Sequence, residues 1–167
     1  DFDLERNLTR QFQNIMNSSS DYGSLSGHID YQRTFNKPDK TFTVSYRLDD
    51  SPRNMDNENG ITGFLDYTSY RQRTTNNATG REHTFQLDYF DPISKIHQFE
   101  TGVKFILRQN ISNSDILRYD DEAGDWVRDL SRINDLDYNQ YITGVYMGYL
   151  AKLPVVSIKT GLRAEIT

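Results

Sequence analysis

The stretch that decides the fold is residues 85–108, FQLDYFDPISKIHQFETGVKFILR. On both sides of a turn at residues 91–94, hydrophobic or aromatic residues alternate with polar ones. Successive side chains of a β-strand point to opposite faces of its sheet, so a period of two predicts two strands, each with one apolar face and one polar face. We therefore expect an antiparallel hairpin closed by a short turn.

The same alternation recurs in four further runs, which lie in pairs around two more short turns. The runs are 25–35, 42–49, 141–149 and 156–166, and the turns are 36–40 and 151–154. Each of the three turns holds one proline, whose fixed φ suits a tight turn. These patterns predict an all-β fold, an antiparallel up-and-down meander of about six main strands.

Polar segments separate the three hairpins, and we predict that most of them are irregular. Asn, Asp, Ser, Gly and Pro dominate 49–60 and 74–80, which read as loops. Between them, residues 64–70 have the period of a β-strand, but both faces of that strand are polar. This predicts a strand that is exposed to water on both faces. Residues 110–137 form a long acidic insertion. All short connections would then lie at one end of the sheet and all long ones at the other.

Residues 1–22 form a polar N-terminal segment, and we interpret 23–167 as a partial β-barrel. Apolar residues in the first segment recur at spacings near 3 and 4, which predicts a short amphipathic helix. These residues are Leu4, Leu8, Phe12, Ile15 and Met16. The chain opens on Asp1 without a signal-peptide pattern and stops at Thr167 inside an alternating run, so we expect it to be an excerpt of a longer protein.

Composition restricts the classes of function. The chain has 167 residues, with 19 Lys and Arg against 24 Asp and Glu, a net charge of -5. Because no basic stripe would neutralise phosphates, we do not expect a nucleic-acid partner. Cysteine is absent, which excludes disulfides and thiolate metal sites. No apolar run is long enough for a membrane-spanning helix.

The segregation of short and long connections favours a membrane barrel. Outer-membrane barrels have short periplasmic turns and long extracellular loops, and about 9 to 11 alternating residues suffice for one crossing. The predicted location is the outer membrane, with the apolar face against the lipid bilayer. The alternative is a soluble antiparallel β binding or structural module, whose apolar face packs against a second sheet.

Three hairpins resemble those of a known family. Residues 85–89 followed by Pro92 and 97–104 resemble a periplasmic hairpin of the TonB-dependent outer-membrane receptors of Bacteroidetes. Two further hairpins are similar to others of that barrel: 30–33 with Lys37-Pro38 and the strand after it, and 150–152 leading to 160–165. The resemblance covers nearly all of residues 23–167.

The resemblance implies a slice of a large transmembrane β-barrel that takes up nutrients. Its partners would be its own plug domain, TonB, and a small-molecule or oligomeric nutrient that the sequence does not identify. Full barrels of this class have about 22 strands, so six crossings cannot close alone. We expect the strand edges of the isolated fragment to self-associate, because unpaired edges are templates for pairing.

The membrane interpretation assigns a role to three sets of residues. Aromatic residues would form a girdle at the lipid–water interface: Tyr46, Tyr89, Phe99, Tyr141 and Tyr149. Charged residues that alternate on the other face would line the lumen: Glu100, Lys104, Arg108, Lys159, Arg163 and Glu165. Glycines on the same strands suit tight curvature or close backbone approach: Gly102, Gly144, Gly148 and Gly161.

No pattern indicates catalysis, a cofactor or a metal. Asp120, Asp121, Glu122 and Asp125 are acidic, but their spacing and the place of Gly124 do not fit an EF-hand loop. The three histidines share no ligand spacing and read as surface or lumen residues: His28, His83 and His97. No activated serine motif is present. We therefore predict a protein that is not an enzyme.

Overall fold

The computed structural model describes residues 11–65 and 68–167, and their strands form one antiparallel sheet. The eight strands are β1 (Gln11–Tyr22), β2 (Leu25–Thr34), β3 (Thr41–Leu65), β4 (Tyr70–Asp91), β5 (His97–Asp120), β6 (Asp125–Arg128), β7 (Asn134–Lys152) and β8 (Ser157–Ile166). Their order is β1-β3-β4-β5-β7-β8, while β2 pairs with β3 and β6 pairs with β5. The predicted all-β antiparallel meander is confirmed.

The first two strands follow one another along β3 in a single register. Tyr22 lies opposite Arg53, and Leu25 lies opposite Asp50. The ladder is interrupted at Pro52, which has no N–H to donate, although its carbonyl still accepts a hydrogen bond of 2.9 Å from the Gly23 N–H. Strands β1 and β2 thus pair with successive parts of β3, and the order β1-β3-β4-β5-β7-β8 has the six main strands that the sequence predicts.

The three short turns lie where the prolines predict them. Each is closed by a backbone hydrogen bond: Phe35 N–H to Lys40 O at 3.2 Å, Ser94 N–H to His97 O at 3.0 Å, and Leu153 N–H to Val156 O at 2.8 Å. The hairpins of β2 with β3 and of β7 with β8 are antiparallel in the predicted pairs.

The predicted irregular segments are wrong, because strands continue through most of them. β3 runs through 49–60, β4 runs through 74–80, and β5 continues to Asp120 before β6 and β7 follow. The strand predicted at 64–70 is wrong at residues 68 and 69, which lie between β3 and β4 in no strand, while residues 66 and 67 lie outside the described residues. These polar segments can form strands because backbone hydrogen bonds do not require apolar side chains. Polar side chains on neighbouring strands also contact one another.

The predicted N-terminal helix is wrong where the structure describes it. Phe12, Ile15 and Met16 belong to β1, and β1 pairs with the second half of β3. Leu4 and Leu8 lie outside the described residues. Helical spacing of a few apolar residues in a polar segment is a weak signal, and pairing with β3 overrides it. The described residues contain no helix that is long and apolar enough to cross a membrane.

The chain divides into two compact units of different chemistry. The first, here the alternating unit, comprises residues 24–51, 80–110 and 138–167. The second, here the polar unit, has 11–23, 52–65, 68–79 and 111–137 as its described residues. Each strand segment of the alternating unit has one apolar and one polar face, whereas β5 in the polar unit carries charges at positions of opposite parity, Asp115 and Arg118.

A conventional hydrophobic core is absent from the described residues. Ile61 is the one hydrophobic side chain buried there, at 8% exposure. Large apolar side chains stand exposed instead, among them Leu162 at 74% and Ile29 at 68%. Within residues 11–65 and 68–167 no second sheet covers these side chains. The packing expected of a soluble β-sandwich is therefore not formed.

Candidate functional site

The polar face of the alternating unit gathers most of its charged side chains. Residues opposite each other in the ladder share a face, as His28 and Arg47 do on β2 and β3, and Tyr146 and Arg163 on β7 and β8. The charged side chains of this face are His28, Asp30, Arg47, Asp49, Glu82, Asp88, Glu100, Lys104, Arg108, Lys152, Lys159, Arg163 and Glu165. The predicted lumen residues all lie in this set.

Ion pairs between residues two positions apart occur within β3 and within β8 on this face. The Arg47 guanidinium donates to the Asp49 carboxylate at 2.7 Å. Arg163 donates to Glu165 at 2.5 Å. Such exposed pairs contribute little stability, so their main effect is to fix where each charge lies.

Ion pairs also link different strands across the sheet. Arg108 on β5 donates to Glu82 on β4 at 2.7 Å and to the side-chain oxygen of Gln140 on β7 at 3.2 Å. Lys159 on β8 lies 2.8 Å from Glu100 on β5. The structure therefore brings together Glu100 and Lys159, which the sequence predicts only to share a face.

Lys104 differs from these cations. No carboxylate within the described residues forms an ion pair with it, although its side chain is half-buried on the same face. It lies on β5, two positions from Gly102, and lines two grooves. One groove, of about 560 Å³, reaches Arg47 and Glu82, and the other, of about 300 Å³, reaches Tyr146 and Arg163.

Glycines make room for the long side chains of this face, and three of them are buried: Gly102, Gly144 and Gly148. The Tyr146 ring lies over Gly102 and the Glu100 carboxylate lies over Gly148, where an added Cβ would come within 2.5 Å of its Oε1. Close backbone approach is present at Gly102, where an added Cβ would lie 2.7 Å from the Leu87 backbone oxygen, whereas at Gly144 it would make ordinary contacts at 3.7 Å or more.

Tyr146 is a residue that the sequence analysis missed. Its hydroxyl donates to the Asp88 carboxylate on β4, which also accepts a hydrogen bond of 2.8 Å from the Gln86 amide. Tyr146 thus reaches from β7 across β5 to β4. The available signal was its position midway between Gly144 and Gly148, since an aromatic ring on a polar face needs small neighbours to lie flat.

The opposite face of the alternating unit is apolar and aromatic. Tyr149 and Tyr141 stand at the two ends of a row on β7 that has Val145 and Met147 between them. The Tyr149 hydroxyl lies 2.5 Å from His97 Nδ1, and the Phe105 ring stacks on the Tyr141 ring. This order suits the predicted girdle, which stays a prediction.

Histidines on that face hydrogen-bond to tyrosines. His83 Nδ1 lies 2.9 Å from the Tyr46 hydroxyl, and His97 makes the equivalent contact with Tyr149. A phenol among apolar neighbours needs a hydrogen-bond partner, which the imidazole supplies. His83 and His97 therefore belong to the apolar face rather than to the predicted lumen, and only His28 lies on the polar face.

The polar unit has a separate cluster of cations and aromatic rings. Glu58 accepts hydrogen bonds from Arg73 at 2.9 Å and from Arg71 at 3.3 Å. Both guanidinium groups also stack within 5.2 Å of the Trp126 ring, and Arg71 lies 4.7 Å from the Tyr119 ring. The Arg73 and Arg71 guanidinium groups hold the pKa of Glu58 below its ordinary value.

The acidic residues near 120–125 stabilise a turn. The Asp120 carboxylate accepts hydrogen bonds from the backbone N–H groups of Glu122 and Ala123 at 2.9 and 3.1 Å, and Asp125 accepts one from the N–H of Trp126 at 2.7 Å. Such local bonds are typical of Asp in turns. In the described part of the chain, no three His, Cys, Asp or Glu side chains gather as a metal site.

Comparison with known proteins gives one match. Residues 33–167 match a sequence family described as an outer membrane protein beta-barrel family. The match includes β3 to β8 entirely and reaches the end of β2. No curated protein matches the chain.

Proposed function

We propose that this chain, which belongs to the outer membrane protein beta-barrel family, is part of the wall of a TonB-dependent receptor for nutrient uptake. Its apolar face contacts lipid and its polar face lines the translocation path. Membership of an outer-membrane family makes the expected alternative, a soluble β module, wrong.

The observation that carries the proposal is the contrast between the two faces of the alternating unit. One face exposes Leu162 and Ile29, while the other carries ion pairs such as Lys159 with Glu100. A barrel in a membrane requires this arrangement, since hydrocarbon surrounds its outside and water fills its inside. Exposed apolar rows of this extent are unfavourable in water.

Strand length suffices for a membrane crossing. β2 and β8 have 10 residues each, and a tilted transmembrane β-strand needs about 9 to 11. In the polar unit, β5 carries charges on both of its faces, Asp115 and Arg118, which hydrocarbon disfavours. We therefore assign the membrane crossing to the alternating unit.

The TonB-dependent class rests on the three hairpins that resemble Bacteroidetes receptors. Their short turns are closed by backbone hydrogen bonds at Phe35, Ser94 and Leu153, as periplasmic turns would be. In the complete protein, a plug domain fills the lumen and contacts TonB, and further strands pair with the edges at β1–β2 and β8. When those strands are missing, the two edges template self-association.

We propose transport without catalysis. Carboxylates that could act as acid or base are engaged with cations on the polar face, as Asp49 is with Arg47 and Glu82 is with Arg108.

Uptake and conductance measurements test the proposal. Cells that lack the full-length protein and cells that lack TonB are compared for growth on a panel of single nutrients, and we expect the same nutrient to be lost in both. The purified full-length protein in planar bilayers should conduct little, because the plug fills its lumen. A large steady conductance, or a growth defect that is independent of TonB, would mean a passive pore.

A further inference from the structure

The smaller groove on the polar face contains two cations and no carboxylate. It has a volume of about 300 Å³ and is lined by Gln86, Lys104, Gly144, Tyr146 and Arg163. We call it the Lys104 cleft. Elsewhere on this face, cations stand next to acids, as Arg108 does next to Glu82. Arg163 is paired with Glu165 and Arg47 with Asp49, so among the lysines and arginines that line the two grooves it is Lys104 that has no carboxylate partner within the described residues.

The acids nearest to the cleft are already engaged. Asp88 accepts hydrogen bonds from Tyr146 and Gln86, and Glu165 accepts one from Arg163. No described acid lies within ion-pair distance of Lys104. Arg163 donates to Glu165 through Nη2, while the Lys104 ammonium group has no carboxylate partner, so a bound anion would give Lys104 a charge-assisted hydrogen bond.

We infer that the Lys104 cleft binds the carboxylate or phosphate group of a solute that passes along the polar face. Lysine supplies a point charge with three donors, and arginine supplies a planar fork that matches either oxyanion. The inference rests on the proposed transport function and specifies its substrate class, a nutrient with an anionic group.

The two grooves share lining residues, which favours a solute in transit as the occupant of the Lys104 cleft. Lys104 and Gln86 line both the cleft and the larger groove of about 560 Å³. The larger groove contains Asp30, Asp49 and Glu82 as well as Arg47, so it offers an anion less net attraction. A solute travelling along this path would therefore be held by its anionic group at the cleft.

Acetylation of lysines in the full-length protein tests the inference. The protein in detergent micelles is treated with an amine-acetylating reagent, and the rates at Lys104 and Lys159 are followed by mass spectrometry with and without inorganic phosphate. Sodium chloride keeps the ionic strength constant, because salt alone screens charges. Lys159 is the matched control, since Glu100 already holds its ammonium group.

We expect Lys104 to react faster than Lys159 and phosphate to slow its reaction saturably. At a phosphate concentration about ten times the dissociation constant, the rate at Lys104 should fall about tenfold, while that at Lys159 stays unchanged. Arg163→Gln should abolish most of the protection. Arg128→Gln, which removes an arginine paired with Asp115 in the polar unit, should preserve it.

Two results would overturn the inference. Equal effects of phosphate on Lys104 and Lys159 would mean that no anion site exists. Slow reaction of Lys104 without added anion would mean that a carboxylate of the protein itself, such as one from the plug, occupies the cleft. If Arg163→Gln fails to fold, the wild-type comparison of the two lysines decides alone. Since labelling in micelles requires no TonB, a failure of TonB-dependent uptake would leave this result intact.

Discussion

The Tyr146 ring on β7 occupies the space above Gly102 on β5, and its hydroxyl donates to Asp88 on β4. One aromatic side chain thereby ties three strands together on the polar face. Gly102 is buried beneath it.

Replacing Gly102 with Ala should destabilise the folded protein by about 1 to 3 kcal/mol, the usual cost of overpacking. The added Cβ would meet the Tyr146 ring and would lie 2.7 Å from the Leu87 backbone oxygen, which cannot move without disturbing β4. Gly148→Ala is the matched control, because there the Cβ meets the Glu100 side chain, which can rotate away. Urea unfolding in micelles measures both. Equal costs would argue against the packing of Tyr146 on Gly102.

Placing Arg at Leu162 or Ile158 should destabilise the inserted protein by about 2 to 4 kcal/mol near the bilayer midplane. Both side chains stand on the apolar face of β8 and are exposed. Ser157→Arg should cost little, because Ser157 lies on the polar face opposite Lys152. Unfolding from lipid vesicles gives the three values. A cost at Ser157 similar to that at Ile158 would contradict the assigned faces.

Glu58 should stabilise the polar unit in a pH-dependent way. Its pKa is lowered by Arg73 and Arg71 from the ordinary 4.5, so its contribution is complete above pH 4.5 and is lost as the pH falls through the lowered value. Glu58→Gln should therefore unfold at a lower temperature than wild type at neutral pH, with the gap closing in acid.

The control for Glu58 is Glu122→Gln. Glu122 lies in the turn after β5 and forms no ion pair among residues 11–65 and 68–167, so its replacement should leave the unfolding temperature unchanged at both pH values. A gap between Glu58→Gln and wild type that persists in acid would show that Glu58 acts by packing rather than by charge.

Alternation of side chains made the hairpins of the alternating unit predictable. The two faces of 85–91 and 97–108 differ so strongly in polarity that parity, turn position and hairpin partner all follow from the sequence. Pro92 and Pro154 mark turns because they fix φ and cannot donate to the ladder. The assignment of Glu100, Lys104 and Arg108 to one face follows in the same way.

The strands of the polar unit could not be predicted in this way. Their side chains are polar at consecutive positions, so no contrast of period two marks them. Their pairing depends on contacts between distant residues, as when the Asn76 amide donates to Ser112 at 2.9 Å and to Ser114 at 2.7 Å. Tyr146 escaped prediction for a similar reason, since its partner Asp88 lies two strands away.

The central claim is that the apolar face of the alternating unit contacts lipid while the polar face contacts water. Residues 1–167 contain no cysteine, so, with any cysteine elsewhere in the full-length protein replaced by serine, spin labels can be placed singly at Leu162 and at Arg163, neighbours on β8 that point to opposite faces. In the full-length protein in lipid vesicles, electron paramagnetic resonance then measures how strongly oxygen and a water-soluble nickel chelate relax each label. We predict relaxation by oxygen at Leu162 and by the nickel chelate at Arg163. Strong relaxation of both labels by the nickel chelate would contradict the claim.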